Sequence, residues 1–187
     1  MSHIDNVKVV STPMMEVESD LICIGVYKDK SFTPGGNDIG QDLKNIIKSG
    51  IDVGDVKGKR GEVNFFYSGK SRFALIGLGD KEKITSEIVR LATGSAIRAA
   101  IAKKAKTVTV DCFCSGLDSC QAMGEGAVLG SYQFLEYKTN SNDSFNIEEV
   151  FVNGCNDKEL SKGVAIGNAI CFARDLGNHP GNISTPT

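Results

Sequence analysis

The chain contains no tryptophan, two histidines and four prolines among its 187 residues. So few prolines exclude collagen-like and proline-rich extended architectures. Aromatic residues make up only 7% and are scattered, which removes the stacking platform that single-stranded nucleic acid needs. No apolar run approaches the roughly 18 residues of a membrane-spanning helix. The first ten residues carry Asp5 and Asn6 where a secretory signal would be apolar. Nor does one sign of charge dominate: 21 basic against 23 acidic side chains give a formal net charge of -2, with no overall field to draw nucleic acid or an anionic membrane. These absences lead us to expect a soluble, cytoplasmic protein that avoids membranes and for which nucleic acid is an unlikely partner.

What is present is ordinary for a folded domain: 41% hydrophobic and 24% charged residues, in a chain long enough to bury about two-thirds of its unfolded surface. Six cysteines (Cys23, Cys112, Cys114, Cys120, Cys155, Cys171) stand at irregular spacings. With a core of this size no disulfide framework is required, so reduced thiols are expected.

Taken in order, Val7 to Val10 and Asp20 to Tyr27 predict two strands, the second a continuous apolar run suited to the middle of a sheet. The turn cluster Thr33-Pro34-Gly35-Gly36-Asn37 precedes a helix marked by Ile39, Leu43, Ile46 and Ile47, and the glycine-bearing segment from Ile51 to Gly61 is expected to be a surface loop. Val63 to Tyr67 and Arg72 to Leu78, joined by four residues, predict an antiparallel hairpin. Thr85 can cap the next helix, whose face Ile84, Ile88, Leu91, Ala92, Ser95, Ala99 and Ala102 is expected on a sheet. Thr107 to Asp111 is a further strand. Met123, Ala127, Gly130, Phe134 and Tyr137 predict a third helix, with Gly126 and Gly130 approaching the sheet. A polar loop from Thr139 to Asn146, a strand from Ile147 to Asn153 and a helix from Asp157 to Leu176 complete the order. Leu160, Val164, Gly167 and Cys171 form one stripe of that helix; Ile166, Ile170, Ala173 and Leu176 form a second, for which we expect a partner outside this unit. Strands alternating with helices after a hairpin indicate an α/β layered domain with a mixed sheet.

Several residue groups invite a chemical reading. Gly77-Leu78-Gly79-Asp80-Lys81-Glu82 follows a strand and precedes a helix, but Glu82 occupies the third glycine position of a dinucleotide fingerprint, so a tight turn is favoured. Gly124-Glu125-Gly126 is better explained by helix packing than by a phosphate cradle. Cys112, Cys114 and Cys120 form the cysteine cluster visible along the chain; no histidine or fourth cysteine lies nearby, so zinc is not expected and buried thiols are. His3 and His179 lack a neighbouring nucleophile-and-acid signature, and His179 is expected on the surface. Arg174 and Asp175 fit an interdomain ion pair or a cap better than catalysis. Lys103, Lys104 and Lys106 with Lys57, Lys59 and Arg60 could make a basic patch, though a solvated face is favoured. No catalytic, cofactor-binding or metal-ligating residue is assigned in this chain.

The last seventeen residues carry a resemblance. Ala173-Arg174-Asp175-Leu176-Gly177-Asn178-His179-Pro180-Gly181-Asn182, followed by Thr185-Pro186-Thr187, resembles the interdomain connector of the leucyl aminopeptidase family, the cytosol aminopeptidases. Glu125-Gly126-Ala127 with Gly130, Tyr132, Phe134, Tyr137 and Lys138 is similar to the family's helix before that connector, and Leu75-Ile76-Gly77-Leu78-Gly79 to its central strand. The resemblance implies an N-terminal, non-catalytic, macro-domain-like α/β domain over residues 1–176, with 177–187 opening a connector to a C-terminal catalytic domain. It implies that the full-length enzyme is a homo-hexamer that removes N-terminal residues from peptides with two divalent metal ions, zinc or manganese, held outside this chain. The alternative is a macro-like module that binds ADP-ribose or another nucleotide.

Overall fold

The computed structural model describes residues 3, 4, 6–113, 117–137 and 145–180, with the side chain of residue 117 excepted. Expectations resting on Cys114, Lys138, the loop core at 138–144 and the segment 181–187 lie outside the described residues.

Strand β1 (Val7–Val10), β2 (Leu21–Tyr27), β3 (Val63–Ser68), β4 (Ser71–Gly79), β5 (Thr107–Asp111) and β6 (Glu149–Asn153) form one sheet in the order β1-β6-β5-β2-β4-β3. Every neighbouring pair is parallel except the β3–β4 hairpin, so the sheet is mixed, as the sequence pattern indicates. Central β2 is buried along its whole length because both of its faces are covered. Ile22, Ile24 and Val26 point to one side, where they meet Phe73 and Leu75 of β4 and helix α2 (Gln41–Asp52) through Leu43 and Ile47. Leu21, Cys23 and Tyr27 point to the other side, with Ala74, Ile76 and Leu78. There they meet α3 (Ser86–Ala102), and α4 (Leu117–Ser131) covers the adjoining β5–β6 half. Two-sided burial is what a continuous apolar strand requires.

Helix α3 starts where the sequence places it: the Thr85 side chain accepts a hydrogen bond from the Ile88 amide, an arrangement worth about 1 kcal/mol. Its sheet face differs from the expected one. Val89, Ala92, Ala96, Ile97 and Ala100 enter the core, while Leu91 and Ala102 are exposed. Alanines run round the whole helix, so the apolar pattern defines its buried face only to within one residue.

The turn cluster at Thr33 is instead the entry to a short helix, α1 (Pro34–Asn37). The segment after α2 is a loop, yet it is not loose. Val56 is buried, and the Gly77 amide donates to the Glu62 carbonyl while the Gly79 amide donates to Gly58, so the loop seals the end of β4.

Helix α4 ends at Ser131, short of Phe134 and Tyr137. The glycines of α4 face neighbouring helices, not the sheet. A Cβ at Gly130 would lie 2.7 Å from the Cα of Gly94 on α3, and one at Gly124 would lie 2.4 Å from the Leu160 carbonyl oxygen of α5 (Asp157–Asn178). Glu125, almost fully buried, fixes the α3–α4 contact: Arg90 Nε donates to it at 2.5 Å, and Gln121 donates to its other oxygen at 2.7 Å. Helix α5 is capped by Asn156, whose side chain accepts from the Glu159 amide, and it runs two residues past Leu176.

Candidate functional site

In an open parallel sheet the ligand-binding crevice lies at the carboxyl ends of the strands, where the strand order reverses. Here β2 leads to the β3–β4 hairpin on one side, and the chain then returns to β5 on the other, so the crevice lies beyond Tyr27 and Asp111. The chain itself builds the floor of it, and a pocket of about 390 Å³ stays open between Tyr27, Phe32, Thr33, Pro34, Asn37, Lys81 and Ile84. Asp111, 1% exposed, accepts from the Gly35 amide at 2.9 Å, and the Thr33 hydroxyl and the Gly36 and Cys112 amides also bond its carboxyl. Thr33 is pinned in turn by mutual backbone and side-chain bonds with Gly25, and the Tyr27 hydroxyl donates to the Phe113 carbonyl at 3.2 Å. Burial pushes the Asp111 carboxyl above its usual range despite the hydrogen bonds that lower it. A phosphate or pyrophosphate placed here would meet a carboxyl group and lose the amides that already serve it.

Other groups singled out in the sequence are equally committed. Gly77 lies within β4, where a Cβ would strike the Lys59 carbonyl oxygen at 1.9 Å, and Gly79 turns at a φ of 83°. This is the close approach and tight turn expected of a structural glycine pair, packed on Lys59 and Arg60. The six cations do not converge. Arg72 Nη1 donates to the Lys103 carbonyl near the start of β4, whereas Lys59 abuts Gly77, five residues and about 16 Å further along the strand. Lys106 is engaged by Glu148, and Lys103 lies over the Phe65 ring. A cleft of about 460 Å³ beside α3 carries Arg60, Lys83 and Arg98 with the apolar Ile88 and Leu91; its carboxylate, Glu87, is bonded to Arg90.

The end of α5 is a packed junction. The Asp175 carboxylate accepts from the Tyr132 hydroxyl at 2.9 Å, and Arg174 lies over the Tyr132 ring, so both are tied within this unit. His179 is also not the surface residue expected. Its side chain is 18% exposed, edge-on to Phe134 and Tyr137, with Nδ1 2.7 Å from the Tyr137 hydroxyl and Nε2 3.5 Å from Glu136. The residues after α4 thus hold the chain as it leaves α5. Beside this junction α5 presents an uncovered apolar face: Ile170, Phe172 (65% exposed), Ala173 and Leu176 (49% exposed).

The described cysteines are in no disulfide. Burial pushes the Cys23 thiol up to about 12, which makes it inert. Cys155 joins Cys112 and Cys120, although 35 residues separate it from the latter; spacing along the chain gave no sign of this.

Residues 23–141 match the family model for the N-terminal domain of the cytosol aminopeptidase family. The chain belongs to that family. Among curated relatives, a probable cytosol aminopeptidase of Alkaliphilus oremlandii is 31% identical over 97% of this chain and 40% of its own length. The cytosol aminopeptidase of Dictyostelium discoideum is 29% identical over 88% and 34%. Of solved structures, the bottromycin maturation enzyme BotP is 26% identical over 90% of this chain and 35% of its own, with a TM-score of 0.73. A mutant tomato leucine aminopeptidase shares the fold, with a TM-score of 0.80 over 97% of this chain and 39% of its own at 21% identity. The chain spans about 40% of the length of the first of these relatives, and its match is to their N-terminal domain. Among the described residues no helix is long and apolar enough to cross a membrane.

Proposed function

We propose that residues 1–176 are the non-catalytic N-terminal domain of a cytoplasmic metalloaminopeptidase and that 177–187 open the connector to its catalytic domain. In this reading the full-length protein removes N-terminal residues from peptides. Its two divalent ions, zinc or manganese, polarise the scissile carbonyl and generate the nucleophile in the other domain. The observation that carries the reading is the state of the sheet's carboxyl edge. At the strand ends where such a fold would do chemistry, the Thr33 hydroxyl and the Gly35, Gly36 and Cys112 amides are all spent on the Asp111 carboxyl. The names of the relatives support peptidase activity for the longer protein, and a solved manganese complex of BotP supports divalent metal. A second feature supports assembly as the role of this unit: the apolar face of α5 flanks the point where the chain leaves the fold, and we assign it to contact with the catalytic domain. The homo-hexamer is part of the same reading.

The test is enzymatic. The full-length protein should release amine from leucine p-nitroanilide and lose that activity on chelation, while the 187-residue chain should release none at any zinc or manganese concentration. Activity that co-elutes with the isolated chain and vanishes on chelation would overturn the assignment. The macro-like reading makes the opposite demand: ADP-ribose at 100 times a real dissociation constant would raise stability by about 2.7 kcal/mol. Because the amides at the strand ends already serve the Asp111 carboxyl, we expect no shift.

A further inference from the structure

We infer that Cys112, Cys120 and Cys155 form a binding site for a single soft monovalent metal ion, copper(I). The three Sγ atoms lie within 4.8 Å of one another, with Cys155 Sγ 3.6 Å from Cys112 Sγ. An ion bound at the centre of a sulfur triangle, at the roughly 2.3 Å typical of thiolate on a first-row d10 ion, needs sulfurs about 4 Å apart. The cluster already has that spacing before any ion is placed.

Its assembly follows from the sheet. β5 and β6 are parallel neighbours with Asp111 opposite Asn153, so the residues that follow them leave the sheet side by side. Cys112 continues β5 directly. After β6 the chain turns at Gly154, whose φ of 76° suits glycine, and this brings Cys155 back onto Cys112. Cys120 enters from the first turn of α4, and the Asn156 amide at the start of α5 donates to its sulfur at 3.2 Å. The N-terminus of α5 therefore faces the sulfurs. Three thiolates around a monovalent cation carry a net charge of -2, which the N-terminal dipole and an N–H···S bond stabilise.

The donor set selects the metal. Among the described residues the group contains no histidine or carboxylate, and the thioether of Met123 lies beside it, its Sδ 3.7 Å from Cys155 Sγ. Thiolate and thioether are soft ligands that suit copper(I). Zinc prefers four nitrogen, oxygen or thiolate donors, and a fully buried methionine is not among them. Cys112 and Cys120 are buried and Cys155 is partly exposed, so the site is shielded yet has an entrance.

The experiment is an anaerobic titration of the reduced 187-residue chain with copper(I) buffered by excess bathocuproine disulfonate. The chain should retain one copper(I), its melting temperature should rise, and X-ray absorption should show three sulfur neighbours. Cys155→Ser and Cys120→Ser should each weaken retention by more than about a hundredfold, beyond what loss of an outer-sphere partner costs. Failure to compete with the chelator, a two-sulfur absorption spectrum of the wild-type chain, or undiminished retention by folded Cys155→Ser would overturn the site. So would tight one-to-one zinc(II) binding with no copper(I) retained. The absorption spectrum is read on the wild-type chain, so the inference stays testable if a serine variant fails to fold.

Discussion

Gly130 of α4 lies so close to Gly94 of α3 that a Cβ added to Gly130 would be 2.7 Å from the Gly94 Cα and 2.9 Å from its carbonyl oxygen. Both obstacles are backbone, which cannot swing aside as a side chain can. The glycine lowers intrinsic helix stability by about 1 kcal/mol relative to alanine, and helix contact is what that cost secures. Gly130→Leu should therefore destabilise the domain by about 1 to 3 kcal/mol in urea denaturation, although helix propensity alone favours leucine. A more stable variant would show that α3 and α4 are further apart than described.

This contact also shows which parts of the fold were legible in the sequence. The buried strands β2 and β4 announce themselves, because a stretch covered on both faces, Leu21–Tyr27 in β2 and Phe73–Gly79 in β4, carries no charged side chain. The hairpin is readable from its short connection, and the α3 and α5 helices from Thr85 and the run after Asn156. The partner of Gly130 was not readable, since a small residue signals close approach without naming what approaches. Phe134 and Tyr137 keep helical spacing after the helix has ended, because packing on His179 happens to need the same intervals. The thiol cluster was hidden for a different reason: Cys112 and Cys155 meet through the pairing of β5 with β6, a relation between segments 43 residues apart.

Asp111 should impose a pH dependence on stability. Burial raises its folded pKa above the 3.8 of an unperturbed aspartate, so the native state keeps a proton that the unfolded chain has released. The contribution of this group is thus fully present below about pH 3.8 and is lost as pH rises through the raised folded value, with a limiting slope of about 1.4 kcal/mol per pH unit. Asp111→Asn removes the titration while keeping an oxygen for the Gly35 amide. The stability of wild type minus that of Asp111→Asn, from urea titrations between about pH 4 and 7, should decline as pH rises. A difference that stays flat or climbs would mean that the carboxylate is stabilised as an anion by its four donors.

The apolar face of α5 should behave differently in the isolated chain and in the full-length protein. Phe172 and Leu176 are four residues apart, on the same side of the helix as the exposed Ala169 and Ala173, so they form one continuous patch. Left uncovered, such a patch favours association of one copy with another. Sedimentation velocity of the 187-residue chain should show concentration-dependent self-association that Phe172→Glu abolishes. Because Phe172 is 65% exposed, this substitution should change the stability of the isolated chain by no more than about 0.5 kcal/mol. In the full-length protein the same ring should be buried against the catalytic domain, where losing it costs on the order of 1.5 to 3 kcal/mol for the apolar contact alone. A substitution nearly silent in one context and costly in the other is the signature of an interdomain contact. Equal and small effects in both would leave the ring in solvent in the whole enzyme, and the role proposed for this face would then be wrong.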